Sequence, residues 1–138
     1  MAQIELSVDL GSKFVTIYQK GIGLVLREPA IALAEKSGDK YVIREAGYRA
    51  ESIMSTSLGG ARVIAPIREG LIVDDEMCVL LLKHFLKKIL PSGLFPPRVV
   101  AIVSISCAMT GSDRKAVEKC FLKAGVKEVT LVESPLSL

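Results

Sequence analysis

The sequence predicts an α/β fold built on a mixed sheet that is antiparallel at its start and parallel behind, and three stretches carry that prediction. Residues 4–26 alternate apolar and polar side chains around two glycine-containing turns, the pattern of three short strands in hairpin succession. Asp74-Asp75-Glu76 open, and Lys83, Lys87 and Lys88 close, a stretch of helical apolar periodicity that stops at Pro91. Val99 to Ile105 is a nearly continuous apolar run, as expected of a central strand covered on both faces, with a second helix and a last strand behind it.

The first strand runs through Ile4-Glu5-Leu6-Ser7-Val8-Asp9-Leu10, with Ile4, Leu6 and Val8 on one face and Asp9 ending the other. An acidic strand end followed by a glycine–hydroxyl turn is how a phosphate loop begins. Gly11 would let backbone N–H groups approach an anion, Ser12 adds a hydroxyl, Lys13 adds a charge, and Asp9 could hold the water shell of a divalent cation. The same residues also describe an ordinary hairpin turn with a solvated lysine at its tip. Phe14 to Tyr18 and Ile22 to Leu26 are the next two strands, joined through Gln19-Lys20-Gly21. Pro29 resets the backbone, Ala30 to Ala34 and Lys40 to Arg44 flank a hairpin signal at Lys36-Ser37-Gly38-Asp39, and Gly47 to Ser55 fits a short helix.

In the long helix Cys78, Leu82, Phe85 and Ile89 form the apolar stripe, while Lys83, His84, Lys87 and Lys88 lie opposite. His84, the single histidine, has no second metal ligand at i+4 on that solvated face, so neither metal binding nor acid–base work is expected of it. Thr110 to Asp113 fits an S/T-x-x-D/E helix start, and Ala116, Val117, Cys120, Phe121 and Ala124 share one side of the helix that follows. Gly125 stops that helix, and Glu128 to Val132 is the last strand. Ser104, Ser106 and Cys107 lack both a G-x-S-x-G elbow and a histidine partner, which argues against nucleophilic catalysis.

At 138 residues, half of them hydrophobic, the chain suffices for one packed core. No apolar run approaches the roughly 18 residues of a membrane span, and no basic-then-apolar leader precedes the first strand, so a cytoplasmic protein is expected. Cys78, Cys107 and Cys120 are odd in number, lack C-x-x-C spacing and sit among apolar residues, which predicts reduced, buried thiols. The balance of 18 basic against 15 acidic residues, with no tryptophan, offers neither the charge nor the stacking platform that nucleic acid requires.

Five segments stand in a telling order: Asp9-Leu10-Gly11-Ser12, Gly21 to Ala30, Ile64 to Ile72, Pro97-Arg98-Val99-Val100 and Glu133-Ser134-Pro135. They resemble, in that order, the D-[IL]-G-T, G-x-G-I-V-x-N-E-P-S, I-R-P-[ML]-[KR]-D-G-V-I, P-R-V-V and E-E-P motifs of the MreB family of bacterial actins. The resemblance runs nearly end to end but covers the family's first lobe only, since Leu138 falls before its second phosphate loop and adenosine pocket. It implies a ribonuclease H-like half-domain, shared by actins, sugar kinases and Hsp70 chaperones. Residues 1–31 and 63–138 would form the core subdomain, and 32–62 a small inserted subdomain that makes subunit contacts. It further implies self-association into actin-like filaments that act in cell shape, peripheral to the inner face of the cytoplasmic membrane. ATP and Mg2+ are the implied ligands, with Asp9, Gly11, Ser12 and Lys13 as the phosphate and cation contacts.

Asp113 matches the position of a family glutamate that places the attacking water, reaching one methylene less far, and reads equally well as a helix-start residue paired with Thr110. Ser12-Lys13-Phe14-Val15 stands where the family has T-A-N-T, and Ile105-Ser106-Cys107-Ala108 replaces its proline-glycine segment. Phosphoryl transfer depends on complete positioning, so the chain by itself is expected not to turn over ATP. Ser92-Gly93-Leu94-Phe95-Pro96 places two large apolar residues in a loop. Leu94 and Phe95 would either fold back as a satellite of the core or, as the resemblance implies, dip into the inner leaflet with Lys87, Lys88 and Arg98 near the head groups. Two alternatives remain open on fold alone: one lobe of a sugar- or acetate-kinase-like phosphotransferase, and a degenerate paralogue that caps filaments.

Overall fold

The computed structural model describes residues 3–11, 13–53 and 61–134. In chain order these form β1 (Gln3–Leu10), β2 (Phe14–Gln19), β3 (Gly23–Pro29), β4 (Ala32–Ser37), β5 (Lys40–Ala46), α1 (Tyr48–Ile53), β6 (Ala61–Ile64), β7 (Ile67–Arg68), β8 (Leu71–Ile72), α2 (Asp75–Ile89), β9 (Arg98–Ile105), α3 (Gly111–Lys123) and β10 (Glu128–Glu133). The main sheet has the order β10-β9-β1-β2-β3. Its first three strands are antiparallel, and β9 and β10 are parallel to β1, as the hairpin signals and the later strand-helix-strand pattern require.

Helix α2 begins where Asp74 accepts a hydrogen bond from the Met77 N–H at 3.1 Å and ends at Leu90, before Pro91. Its buried stripe is wider than expected: Met77, Leu81 and Leu86 join Cys78, Leu82 and Phe85, while Ile89 is only partly buried. Helix α3 starts with a complete capping box between Thr110 and Asp113. Both helices bury their apolar sides against Leu6, Val8, Val15, Ile17, Ala101 and Val103, so the core lies on one face of the main sheet.

That placement corrects the expectation of a strand covered on both faces. Val99, Ala101, Val103 and Ile105 are buried, but Ile102 is 48% exposed, and Val100 and Ser104 are half-buried. Tyr18, Leu24 and Val132 are exposed as well. The apolar run was real, yet apolar character at alternate positions does not say what covers them.

The hairpin expected around residues 36–39 is present as β4–β5, and β6 adds to it, giving a three-stranded sheet in the order β5-β4-β6. Neither β6 nor the short β7–β8 hairpin was legible in the sequence. The small sheet is tied to the core through Glu28 of β3, which accepts the Tyr48 N–H at 3.1 Å and the Lys88 ammonium at 2.6 Å. Gly47, at φ 64, lies directly beneath the Glu28 side chain.

Two further expectations need correction. Cys107 is exposed, in a polar turn after β9, whereas Cys78 and Cys120 are buried between α2 and α3. There the neighbouring Cys120 thiol and burial push the Cys78 thiol well above its ordinary range, so it stays protonated and unreactive. His84 is half-buried rather than solvated. Partial burial and the Lys88 charge lower its pKa against the pull of Glu45 and Glu28. Met54 and Ser55 of the expected short helix, and Pro135, Leu136 and Leu138 after the last strand, lie outside the described residues.

Candidate functional site

The carboxyl ends of the parallel strands bring the expected nucleotide residues to one edge of the main sheet. Asp9 is in register with Thr16 on one side and Ser104 on the other, on the exposed face. It has no ion pair or hydrogen-bond partner among the described residues, which leaves its carboxylate free for a hydrated cation. At Gly11 the outcome differs. Its N–H donates to the Phe14 carbonyl at 3.0 Å, closing the β1–β2 turn, and a Cβ there would sit 3.3 Å from that oxygen. Gly11 therefore serves the hairpin, and its N–H is not presented to an anion. Ser12 lies outside the described residues. Lys13 is exposed at the turn, with its carbonyl accepting the Ala30 N–H at 2.8 Å.

Phe14, in the place of a polar family residue, folds back onto the protein. The Arg27 guanidinium lies 4.1 Å from its ring centroid, and the Tyr48 ring is 6.3 Å away. A cavity of about 330 Å³ opens beside it, with Lys13, Ile31, Glu51, Arg68 and Glu69 among its lining. Glu69 and Gly70, at φ 53 and 80, form the tight β7–β8 turn whose Gly70 packs against the Leu10 carbonyl at the end of β1. Arg68 and Glu69 stood in the sequence only within the Ile64 to Ile72 motif, and their place at this edge was not read from it because no Asn-Gly or Asp-Gly signal marks their turn.

The first turn of α3 stands at the same edge, held there by Arg114, whose guanidinium meets Glu133 of β10 at 2.7 Å. Asp113 is consumed by the helix cap: it accepts the Thr110 N–H at 3.0 Å, and its own N–H donates to the Thr110 hydroxyl at 3.1 Å. The Thr110 backbone and hydroxyl hydrogen bonds hold the Asp113 carboxyl below its ordinary range. A carboxylate with one oxygen committed to a cap and its basicity lowered is poorly placed to take a proton from water. The set of donors for ATP and Mg2+ is thus incomplete: Asp9 and Lys13 fit, while the Gly11 N–H and Asp113 are engaged elsewhere.

Leu94 and Phe95 lie at the opposite edge of the sheet, in the loop that leads into β9, and are 93% and 88% exposed. They do not fold back onto the core. Of the basic residues expected near them, Arg98 is paired with Glu128 at 2.6 Å and Lys88 with Glu28. No helix among the described residues is long and apolar enough to cross a membrane.

Comparison with known proteins adds lineage to this geometry. Residues 3–137 match the family model described as MreB/Mbl protein. The cell shape-determining protein MreB of Escherichia coli K12 is 29% identical over 135 residues, 96% of this chain and 39% of its own length. Mbl of Bacillus subtilis is 33% identical over 132 residues, 95% of this chain and 38% of its own. The chain therefore spans about two-fifths of the length of the curated relatives it matches. Among solved structures, MreB5 of Spiroplasma citri bound to AMPPNP superposes with a TM-score of 0.78 at 23% identity, covering 96% of this chain and 39% of that one. The MamK double helical filament gives 0.75 at 17% identity over 97% and 42% of the two chains. Both share the actin-like fold with this half-domain, and the family match does not favour the phosphotransferase reading. On the family match across nearly its whole length, the chain belongs to the MreB/Mbl family.

Proposed function

We propose that the chain serves as the first lobe of an actin-like cytoskeletal subunit that self-associates at the inner face of the cytoplasmic membrane and acts in cell shape. Residues 1–31 and 63–138 form its core subdomain in this reading, and 32–62 the small inserted subdomain that carries subunit contacts, a division supported by the separate β5-β4-β6 sheet, although β6 carries that sheet on to Ile64. The relatives named for cell shape and the filament structure of MamK support assembly. MreB5 bound to ADP and to AMPPNP supports nucleotide as the family's ligand, which Asp9 and Lys13 would meet here in a weakened site. In that site ATP with Mg2+ would supply a load to hold, and no hydrolytic step is assigned to Asp113.

The membrane part rests on the near-complete exposure of Leu94 and Phe95. Two such side chains would stay in water only at a cost, and transferring both into acyl chain would contribute about 3–6 kcal/mol at most. With Arg98 and Lys88 already paired, head-group attraction is left mainly to the exposed Lys87, which adds about 1 kcal/mol on anionic lipid. One lobe binds weakly and an array binds tightly, by avidity. The test is co-sedimentation with phosphatidylglycerol vesicles, comparing the parent with a Leu94→Ser, Phe95→Ser variant of unchanged circular dichroism. Loss of binding in the variant is expected, and equal binding by the two proteins sinks the membrane reading.

A further inference from the structure

The β2–β3 hairpin carries a second exposed apolar residue where a turn ordinarily carries a polar one: Ile22, 68% exposed. It stands between Gly21 and Gly23, at φ 86 and 109, and a Cβ built on either glycine would meet nothing within 4 Å. The tip is therefore clear of the rest of the molecule on both sides. It is also held in shape. The Ile22 N–H donates to the Gln19 carbonyl at 3.0 Å, and the Lys20 N–H donates to the Glu5 carbonyl at 2.9 Å.

The topology fixes where this tip points. Gln3 is in register with Arg98, and Leu6 with Gln19, so the start of β1, the start of β9 and the β2–β3 turn share one edge of the sheet. Leu94 and Phe95 enter β9 at that edge. Counting strands from β9 across β1 to β2 and β3 separates the two apolar tips by about 10–15 Å. Between and beside them the charged groups are nearly balanced: Lys20 pairs with Glu5 at 3.3 Å, Arg98 with Glu128 at 2.6 Å, and Lys127 adds one further cation.

We propose that Ile22 is a second membrane prong, which with Leu94 and Phe95 gives the lobe a two-point apolar contact with a lipid surface along this edge. The inference rests on the membrane reading of the 92–96 loop and adds to it a residue, an orientation and a salt dependence. Two points of contact hold the axis that joins them along the membrane plane and leave only rotation about that axis, which one loop does not. Because the hairpin tip is already ordered, its insertion carries little conformational loss. Because the edge is close to neutral, binding depends mainly on apolar insertion and persists at high salt.

The experiment uses the full chain with vesicles of phosphatidylglycerol and phosphatidylcholine, and four proteins of matching circular dichroism. These are the parent, Ile22→Ser, the Leu94→Ser, Phe95→Ser variant, and Ile22→Cys in a Cys107→Ser background labelled with a polarity-sensitive fluorophore. Cys78 and Cys120 are buried, so the label goes to position 22. About tenfold weaker partitioning of Ile22→Ser is expected, together with a blue shift of the label on vesicle addition that survives high salt. If Ile22→Ser binds like the parent and the label stays in water while the Leu94/Phe95 variant has lost binding, the second prong is wrong and the single-loop reading stands. If neither variant differs from the parent, or the parent does not bind, both readings fall. A blue shift that appears without vesicles as protein concentration rises would assign the tip to a protein contact and overturn the proposal.

Discussion

Replacing Gly47 with alanine should loosen the joint between the small sheet and the core. Gly47 sits at φ 64, where a side chain costs about 1–2 kcal/mol of left-handed strain. The new Cβ would lie 2.7 Å from Glu28 Cδ and 2.9 Å from Glu28 Cβ, and closer still to Oε1, so the Glu28 side chain must leave. Its departure forfeits the Tyr48 N–H bond, about 1–2 kcal/mol for a charged acceptor, and the Lys88 ion pair. Since the Lys88 side chain is 44% exposed, that pair is discounted to about 0.5 kcal/mol. The sum is about 2.5–4.5 kcal/mol, to be read from urea unfolding followed by circular dichroism. Gly38→Ala is the matched control, with the same φ of 64 and nothing within 4 Å of its Cβ, and should lose only the strain. In a Glu28→Gly background, which also removes the Cβ at 2.9 Å, the Gly47 substitution should likewise cost only the strain, leaving a coupling of about 1.5–2.5 kcal/mol. Equal losses at Gly38 and Gly47, or additive effects of Gly47→Ala and Glu28→Gly, would refute the reasoning.

Calorimetric titration with ATP and Mg2+ should give affinity no tighter than about millimolar, and no phosphate release should be measurable, because the Gly11 N–H and Asp113 are already bonded within the protein. Micromolar affinity abolished by Asp9→Ala would show the site to be better formed than its hydrogen bonds indicate. His84 titrates below its ordinary 6.5 in the folded protein, so the unfolded chain binds more protons between the two values. Stability should therefore rise with pH through that window and fall as pH drops below about 6.5, and His84→Gln should flatten the slope; parallel profiles for the two proteins would count against it. The exposed sheet face bearing Tyr18, Leu24, Ile102 and Val132 should drive concentration-dependent association in sedimentation runs, with Ile102→Ser shifting the chain toward monomer, and a parent that is monomeric at every concentration rejects that use of the face.

Much of this was written in the chain itself. Alternation in Ile4 to Leu10 and the turns at Gly21 and Gly38 set the early strands, because side-chain period and left-handed turn residues act locally. Asp74, Pro91, Thr110 and Asp113 marked the helix ends for the same reason, since a cap is satisfied within one turn of backbone. The five ordered motifs carried the family, as the match over residues 3–137 bears out. Other features required partners distant in sequence. That Ile102 faces outward while Val103 is buried depends on where α2 and α3 pack, which the apolar run from Val99 cannot encode. That Gly11 donates to Phe14 rather than toward a ligand, and that Asp113 closes a cap, depends on which acceptor each group meets first in three dimensions. Glu28 joins Tyr48 and Lys88 across twenty and sixty residues of chain, a contact that only the packing of β3, α1 and α2 brings about. Period, turn and cap are local and could be read from the residues in order, while which groups were left free to meet anything else was settled by long-range packing.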